Sequence, residues 1–301
     1  MGRPRVLVCD PIHDDGVKIL REAGYIVYLR ISITASELAE AVGDFDAIVV
    51  RSRTKVTPHV LEAGKRLKAV ARAGVGLDNI DLIAAKRLGI RVVNSPEAPS
   101  NAVAELVLGL MLSLARRIPE ADDSMKKGKW IKKQLTGIEL KGKTLGIIGF
   151  GRIGYQLAKK AGALEMRVLT ARRSRGEEAG ADAVDLDELL GSSDFVTVHV
   201  PLLPQTKHMI GTEEINAMKD GAYLINVARG GVIDEEALRK ALVSGKLAGA
   251  ALDVYEEEPP GDLSLTGLQN VVSLPHIGAA TVEAQRANST VVAEKLIKIL
   301  G

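Results

Sequence analysis

Three glycines, Gly149, Gly151 and Gly154, follow an apolar run at 144–148 and open a segment with helical period. A strand, this glycine spacing and a helix in that order are typical of a dinucleotide-binding unit. Glycine permits the tight turn, lets the backbone approach a pyrophosphate and allows close helix–strand packing, while the first N–H groups of the helix face the phosphates. A purely structural glycine-rich turn is the alternative. The predicted dinucleotide contacts in this turn are Gly149, Gly151, Arg152, Ile153 and Gly154.

The next predicted strand, at 167–170, leads into three arginines, Arg172, Arg173 and Arg175. Many dinucleotide sites carry an acidic residue at this place, where it hydrogen-bonds the ribose hydroxyls of NAD. Guanidinium groups pair with a phosphate instead. The sequence therefore favours NADP(H), and NAD is the alternative if these arginines form a solvated basic turn.

Short β-branched runs alternate with helical segments along the chain, a pattern typical of α/β units around a parallel sheet. A length of 301 residues is enough for two domains. We therefore predict an α/β fold with two Rossmann-like doubly wound domains. The last helix follows a domain already complete in strands, so we expect it to return to the first domain, and the nucleotide domain is then inserted into a discontinuous substrate domain. The predicted boundaries are 98–280 for the dinucleotide-binding domain and 1–97 plus 281–301 for the substrate-binding domain.

The composition excludes several classes of function. The chain carries 40 basic and 38 acidic residues, a net charge of +2, so its charge favours neither nucleic acid nor a membrane surface as partner. Its single cysteine, Cys9, excludes an internal disulfide and a cysteine-rich zinc site, and we predict no metal. The absence of a recognisable targeting segment favours a cytoplasmic protein.

Three polar side chains, Arg229, Glu258 and His276, each follow a later predicted strand. Open α/β sheets bind their ligands at the carboxyl ends of strands. An arginine, a carboxylate and a histidine at one such edge form an acid–base site for an anionic substrate. Taken alone, each has a structural alternative as a salt-bridge arginine, a solvated acidic turn or a buried histidine. The remaining histidines lack such partners and are predicted to be structural, and these are His13, His59, His199 and His208.

Four segments, GFGRIG, NVARGG, ALDVYEEEPP and PHIGAAT, resemble the D-2-hydroxyacid dehydrogenase family, and similar segments extend over nearly the whole chain. Within the family the similarity is greatest to members that oxidise D-3-phosphoglycerate in serine synthesis. The resemblance implies oxidation of D-3-phosphoglycerate to 3-phosphohydroxypyruvate by hydride transfer to NAD(P). NADPH-dependent reduction of glyoxylate or hydroxypyruvate is the alternative within the family. A nucleotide-sensing, corepressor-like binding protein is the alternative from another class.

The resemblance also implies roles for single residues. Arg229 would bind the substrate carboxylate and polarise the C2 carbonyl, His276 would exchange a proton with the oxygen at C2, and Glu258 would orient the imidazole. The substrate is then a small anionic 2-hydroxy or 2-oxo acid, whose carboxylate would meet the amides of Gly74 and Val75. The implied substrate contacts are Arg51, Ser52, Arg72, Gly74, Val75, Asn101, Arg229 and His276. The further implied cofactor contacts are Val75, Val200, Val227, Ala228, Asp253 and Gly278.

Two more expectations concern assembly and regulation. The helix at 102–117 is more apolar than one domain surface needs, so we predict a homodimer through it, with burial inside the monomer as the alternative. Lys132 or Lys133 would reach a substrate phosphate, within one chain or across the dimer. The chain ends at Gly301 without the serine-sensing domain of longer family members, so we expect no feedback inhibition through such a domain.

Overall fold

The computed structural model describes residues 2–171 and 180–301. The chain divides into two units, one formed by the residues up to Pro99 together with Ala279–Gly301, the other by Ser100–Gly278. The second unit is thus inserted in sequence between the two parts of the first. Each unit is built on a parallel sheet, which confirms the predicted α/β fold.

The strands of the first unit are β1 (Arg5–Val8), β2 (Ile26–Leu29), β3 (Ala47–Val50), β4 (Ala69–Arg72) and β5 (Arg91–Asn94). They are parallel and lie in the order β2-β1-β3-β4-β5. Every residue of the central strand β3 is buried. Ile48 and Val50 face one hydrophobic cluster, while Ala47 and Val49 face another, so both faces of this sheet are covered.

The strands of the second unit are β6 (Thr144–Ile148), β7 (Arg167–Ala171), β8 (Ala181–Val184), β9 (Phe195–Val198), β10 (Ala222–Asn226), β11 (Leu247–Leu252) and β12 (Val271–Ser273). Their order is β12-β11-β10-β9-β6-β7-β8, with all pairs parallel. The chain runs outward from β6 to β8 and then returns to the other side of β6 at β9. The carboxyl ends of β6 and β9 therefore form the crevice where open α/β sheets bind ligands.

The helices are α1 (Asp14–Glu22), α2 (Ala35–Ala41), α3 (Pro58–Ala63), α4 (Leu82–Arg87), α5 (Ser100–Arg116), α6 (Ile118–Lys126), α7 (Arg152–Ala163), α8 (Leu186–Ser192), α9 (Thr212–Ala217), α10 (Glu235–Ser244) and α11 (Val282–Leu300). Short 3₁₀ turns lie at Val42–Asp44, Lys132–Gln134 and Gly230–Val232. Local signals fix two of the helix starts. The Glu37 N–H donates to Thr34 Oγ1 while Glu37 Oε2 accepts from the Thr34 N–H, a capping box that begins α2. Thr57 caps α3, whose first residue is Pro58.

The closing helix α11 packs against α1 within the first unit. Ser289 Oγ donates to the carbonyl oxygen of His13 at 2.7 Å, and Tyr25 Oη donates to the carbonyl oxygen of Ile297 at 3.3 Å. Leu296 is fully buried in the hydrophobic cluster on the same face of the sheet. These contacts complete the first unit with residues from the end of the chain.

The elements that were not predicted from the sequence include α6 and β8. Only Ser124 of α6 is buried, and this short helix carries just three apolar side chains besides Pro119, at Ile118, Ala121 and Met125, among charged and polar ones. The four residues of β8, Ala-Asp-Ala-Val, include a single β-branched side chain. Both elements therefore give only a weak local signal.

No helix within residues 2–171 and 180–301 is long and apolar enough to cross a bilayer. The same residues hold no group of His, Cys, Asp and Glu side chains that could bind a metal ion.

Candidate active site

The turn between β6 and α7 contains two glycines that the packing of the protein requires. Gly149 has a φ of 93°, a conformation that disfavours residues with a side chain. A Cβ on Gly149 would lie 2.8 Å from Val200 Cγ1, and a Cβ on Gly154 would lie 3.0 Å from the Gly149 carbonyl oxygen. The turn therefore lies tight against the segment after β9, and Val200, a predicted cofactor contact, borders it.

Gly151 has no such packing reason to be glycine. Its φ is −93°, and a Cβ there would meet no described atom of the chain within 4 Å. Gly151 is also the N-cap of α7, which no described side chain caps. The first N–H groups of α7, at Arg152 and Ile153, can then donate to an anion in front of the turn. The residues present fit the pyrophosphate of a dinucleotide.

Two buried polar atoms lie on either side of β6, at the ends of its neighbouring strands. Thr170 Oγ1 in β7 and His199 Nδ1 just after β9 have no hydrogen-bond partner in the described part of the chain. The other ring nitrogen of His199 lies 3.1 Å from Thr197 Oγ1. Burial lowers the pKa of His199 to about 4, so its ring is neutral at physiological pH. Unsatisfied buried polar atoms are costly, and these two lie where a dinucleotide would bind.

A carboxylate–histidine pair lies after β11 and β12. His276 Nδ1 lies 2.8 Å from Glu258 Oε2, while Glu258 Oε1 accepts from the Tyr255 N–H at 3.3 Å. The side chains of His276 and Glu258 are 50% and 40% exposed, so both are open to a small molecule. Because Nδ1 faces the carboxylate, the other ring nitrogen, Nε2, can exchange a proton with a substrate.

The turn that carries His276 is held on both sides by the segment after β11. Asp253 is fully buried, and its two carboxylate oxygens accept from the N–H groups of Ile277 and Gly278, each at 2.7 Å. Tyr255 Oη lies 3.0 Å from the carbonyl oxygen two residues before His276, to which it donates. Burial raises the pKa of Asp253, and the two N–H groups oppose that rise. Asp253 and Gly278, both predicted cofactor contacts, are thus joined by a hydrogen bond, and this bond helps to position His276.

Arg229 follows β10 in a turn that Asn226 stabilises. Asn226 Nδ2 donates to the Arg229 carbonyl oxygen at 2.9 Å, and its Oδ1 accepts from the Ala228 N–H at 3.1 Å. A Cβ on Gly230 would collide with the backbone of Tyr255, so this turn lies directly against the segment that carries Glu258. The structure thus brings together the segments of the three predicted acid–base residues. Asn226 was not predicted, although an amide at the last position of an apolar strand, three residues before Arg229, is a signal that could have identified it.

In the first unit, the loop after β3 that carries Arg51 is held by two side chains. Asp10 Oδ2 accepts from the N–H groups of Arg51 and Thr54 at 2.6 and 3.2 Å. Asn79 Nδ2 donates to the carbonyl oxygens of the same two residues at 2.8 and 2.7 Å. Arg53 donates through Nε to Asp10 at 3.0 Å and so has a structural role. Asp10 and Asn79 were not predicted, because their partners are remote in sequence.

The predicted contacts around Gly74 have partners of their own. The Gly74 N–H donates to Ser95 Oγ at 2.9 Å, so this amide is engaged inside the first unit. A Cβ on Gly74 would collide with the Arg72 guanidinium, which therefore lies over the glycine. Ser52 and Val75 are exposed. The expected contacts of Gly74 and Val75 with a carboxylate both stay predictions, and the amide of Gly74 has this partner of its own.

The remaining predicted contacts lie in the second unit or outside the described residues. Asn101 Nδ2 donates to Glu105 Oε1 at 2.8 Å in the first turns of α5. Lys132 and Lys133 are exposed in a 3₁₀ turn. Val227 follows β10 directly and is buried. The residues expected to recognise a ribose phosphate lie outside the described residues, and these are Arg172, Arg173 and Arg175.

Comparison with known families gives one match to the second unit. A model described as D-isomer specific 2-hydroxyacid dehydrogenase, NAD binding domain, matches residues 108–278, more than half of the chain. The matched range contains the turn at Gly149 and the segments of Arg229, Glu258 and His276.

Whole-chain comparisons extend the similarity to both units. The chain is 51% identical to the D-3-phosphoglycerate dehydrogenase of Methanocaldococcus jannaschii over 98% of its own length, but it spans only 57% of that relative. It is 48% identical to the hydroxypyruvate reductase of Thermotoga maritima, with all of both chains covered. Among solved structures, the TT0316 protein from Thermus thermophilus is similar with a TM-score of 0.91 and 37% identity, over 98% of this chain and 96% of that one.

Proposed function

Since this chain belongs to the D-isomer specific 2-hydroxyacid dehydrogenase family, we propose that it oxidises D-3-phosphoglycerate to 3-phosphohydroxypyruvate and catalyses the reverse reduction. The observation that carries the proposal is the 2.8 Å contact between Glu258 and His276, which leaves the second ring nitrogen to a substrate hydroxyl. The 51% identity to the M. jannaschii D-3-phosphoglycerate dehydrogenase supports the phosphorylated substrate.

His276 carries the proton in this mechanism. In oxidation, its neutral Nε2 takes the proton of the C2 hydroxyl, and in reduction the protonated ring returns it. Glu258 accepts from Nδ1–H throughout, so it selects the tautomer with an accepting Nε2 and stabilises the imidazolium that forms. The nicotinamide, when bound, supplies the acceptor for the hydride from C2.

Arg229 binds the substrate carboxylate and polarises the oxygen at C2. A guanidinium suits this role because it can donate two parallel hydrogen bonds to a carboxylate. Asn226 holds the backbone of Arg229, so the guanidinium extends from a turn of defined geometry. Arg229 then holds the acid by its carboxylate, and His276 exchanges a proton with the oxygen on the neighbouring carbon, C2.

Two parts of the chain support a dinucleotide cofactor. These are the turn between β6 and α7 and the arginines that follow β7 in the sequence. Gly151 and the first N–H groups of α7 would hold its pyrophosphate. We propose NADP(H) as the preferred dinucleotide, because Arg172, Arg173 and Arg175 would pair with its 2′-phosphate. NAD is the alternative, and the matching family model is described by NAD binding.

Initial rates with three 2-oxo acids test substrate and cofactor together. Phosphohydroxypyruvate, hydroxypyruvate and glyoxylate are compared, each with NADPH and with NADH. We expect kcat/KM to be highest for the phosphorylated acid, by about tenfold or more, because its charged phosphate adds hydrogen bonds. Equal or higher kcat/KM for the unphosphorylated acids contradicts the proposed substrate, and a preference for NADH contradicts the role of the arginines.

NADPH-dependent reduction of hydroxypyruvate or glyoxylate is the second candidate. It is favoured by the T. maritima relative named hydroxypyruvate reductase, which matches over all of both chains. A nucleotide-sensing binding protein is the candidate from another class, and it requires dinucleotide binding with no turnover of any of the three acids. The same rate measurements separate these candidates.

We further propose a cytoplasmic homodimer. Nine of the seventeen residues of α5 are buried, so much of the apolar character that suggested the dimer belongs to the core of the second unit. The support comes instead from exposed apolar side chains on α5, α6 and the segment after them. These are Leu112, Ile118, Met125 and Trp130, of which Trp130 is 77% exposed.

A further inference from the structure

We propose that His208 is a positioning residue for the carboxylate–histidine pair and that it acts through Glu256. The inference rests on the proposed function and deepens it, because that pair exchanges the proton with the substrate. His208, Glu256 and both members of the pair belong to the second unit. The local sequence of His208 shows no partner for its ring, and the fold supplies one.

The ring of His208 contacts a carboxylate on a neighbouring segment. His208 Nε2 lies 3.1 Å from Glu256 Oε1. A carboxylate oxygen can only accept, so Nε2 carries the proton of this hydrogen bond. Both residues are exposed, and an exposed contact of this kind contributes little to the stability of the whole protein. Its effect is therefore local, on the segment that carries Glu256.

The first residue of α10 holds Glu256 a second time. The Glu256 N–H donates to Glu235 Oε1 at 2.7 Å, and the Glu235 N–H donates to Glu256 Oε1 at 3.4 Å. The oxygen that accepts from His208 thus accepts from Glu235 as well. Glu256 is held through its main chain and through its side chain, and the bond from His208 is the shorter of the two to its carboxylate.

His208 also reduces the repulsion between two carboxylates. Glu235 and Glu256 each accept from the N–H of the other, so their like charges lie close together. Burial raises the pKa of Glu235, and the Glu256 carboxylate adds to that rise, while the Glu256 N–H and His208 oppose it. Without His208, the repulsion would act against the hydrogen bonds that hold Glu256.

The segment that carries His208 is anchored by its own backbone. The His208 N–H donates to the Gly231 carbonyl oxygen at 2.8 Å. Two residues later, the buried Ile210 donates its N–H to the Val232 carbonyl oxygen at 3.2 Å and accepts from the Asp234 N–H at 3.0 Å. The backbone of His208 is therefore fixed to the turn after β10, and its ring can hold Glu256 in place.

The segment that His208 holds leads directly to Glu258. Glu256 precedes Glu258 by two residues, and the N–H of the residue before it, Tyr255, donates to Glu258 Oε1 at 3.3 Å. A shift of the backbone at Tyr255 and Glu256 would therefore move the hydrogen bond that orients the Glu258 carboxylate. Because a small misplacement of a reacting group lowers the rate strongly, the contact of an exposed histidine can influence proton transfer.

The test compares His208→Asn with His208→Gln. His208 has a φ of 50°, a left-handed conformation in which Asn is also enriched. The donor nitrogen of Gln is as many bonds from Cα as Nε2, whereas that of Asn is one bond closer and loses the contact. We expect His208→Asn to keep the thermal midpoint and to lower kcat about fivefold, and His208→Gln to restore most of the rate.

The loss should be the same for two substrates. Reduction of phosphohydroxypyruvate and of hydroxypyruvate is measured with NADPH or NADH, whichever gives the wild type its higher rate. The positioned pair acts at C2, which both acids share, so kcat should fall by the same factor for each. Lys240→Gln, which removes an exposed ion pair of α10, is the matched control and should leave kcat unchanged.

Double-mutant cycles test the route through Glu256. In Glu256→Ala, His208→Asn should lower kcat no further, because the carboxylate that it holds is already absent. In Glu258→Ala the same substitution should also have no effect, since the group being positioned is absent. A merely structural role of His208 predicts additive losses, and additivity in either background overturns the inference. Wild-type kcat in His208→Asn overturns it as well.

Hydrogen exchange provides a readout that needs no turnover. The Glu256 N–H, which donates to Glu235, should exchange about fivefold faster in His208→Asn than in the wild type. If the wild type prefers phosphohydroxypyruvate and His208→Asn matches it in kcat and exchange, the inference is overturned while the proposed function stands. If the wild type prefers hydroxypyruvate or reduces neither acid, the proposed function fails, and faster exchange in His208→Asn supports the positioning of this segment.

Discussion

His276 and His199 differ in what surrounds their rings. His276 is half exposed and lies 2.8 Å from the Glu258 carboxylate, which can stabilise a protonated ring. Nδ1 of His199 is buried without a described partner, and burial lowers the pKa of this ring to about 4. His276 is therefore placed to exchange a proton with a small molecule, whereas His199 is suited to stay neutral beside the nucleotide turn.

Replacing His276 with Asn should remove proton transfer and keep the fold. We expect kcat to fall by a factor of about 10² to 10⁴, the usual contribution of a positioned acid–base group. Dinucleotide affinity, measured by fluorescence titration, should stay at the wild-type value. Glu258→Gln should show a smaller loss of kcat, because it removes the orienting carboxylate and keeps the imidazole. Wild-type kcat in His276→Asn would exclude it as the proton carrier.

His199 should make the stability of the protein depend on pH. Its pKa is lower in the folded chain, at about 4, than its ordinary value of 6.5, so the unfolded chain binds the proton first as the pH falls. The contribution to stability is complete above about pH 6.5 and is lost as the pH falls toward 4, by up to about 3 kcal/mol. Urea unfolding at pH 7.5 and pH 5 measures it. His199→Gln should lose less stability between the two pH values, and an equal loss would contradict the assigned cause.

At the level of elements, the turn from β6 to α7 contains two glycines that are present for different physical reasons. Gly149 is required by its φ of 93° and by contact with the segment after β9, whereas Gly151 borders space without described atoms. Gly149→Ala should therefore lower the thermal midpoint, because a left-handed conformation costs a residue with Cβ about 1–2 kcal/mol and the Cβ also collides with Val200.

Gly151→Ala is the matched control for that variant. It should leave the thermal midpoint of the dinucleotide-free protein unchanged and raise the dinucleotide Kd, since its Cβ would occupy the approach to the helix N-terminus. Thermal melts without ligand and a dinucleotide titration measure the two effects. The interpretation fails if Gly151→Ala destabilises the free protein as much as Gly149→Ala does.

Some helices of this protein can be predicted from the sequence, and others cannot. The starts of α2 and α3 depend on residues within one turn, such as Thr34 with Glu37, so local spacing predicts them. The helix α6 buries only Ser124, and its few apolar side chains are too sparse a pattern to predict it. Its position is decided by the left-handed residue Arg117 and by neighbours that the local pattern does not include.

For the whole molecule, the proposed dimer is the prediction to test. Light scattering should give wild type about twice the 32.0 kDa of one chain. Trp130→Glu should shift the mass toward one chain, because a charge would replace an indole that is 77% exposed in the single chain. A charge at another exposed apolar position, Ile83→Glu on α4, serves as the control and should keep the dimer. A wild-type mass of one chain would contradict the dimer itself.

The sequence by itself determined the features that depend on local spacing and chain order. The glycine series after β6 predicts a dinucleotide turn, and three strand ends predict that Arg229, Glu258 and His276 share one edge of a sheet. The first prediction needs only the local spacing of the glycines between a strand and a helix. The second is possible because parallel strands bring their carboxyl ends to the same side whatever residues connect them. The family resemblance was visible in the same segments.

Only the tertiary structure decided which partners each side chain has. It engages the Gly74 amide with Ser95, places Asp10 and Asn79 around the Arg51 loop, and gives α11, which the sequence assigned to the first domain, its partner α1. The sequence separations in these contacts reach 276 residues, between His13 and Ser289. No period or motif encodes a contact of that range, because it depends on how whole elements pack, and so the sequence could name candidate residues but not their partners.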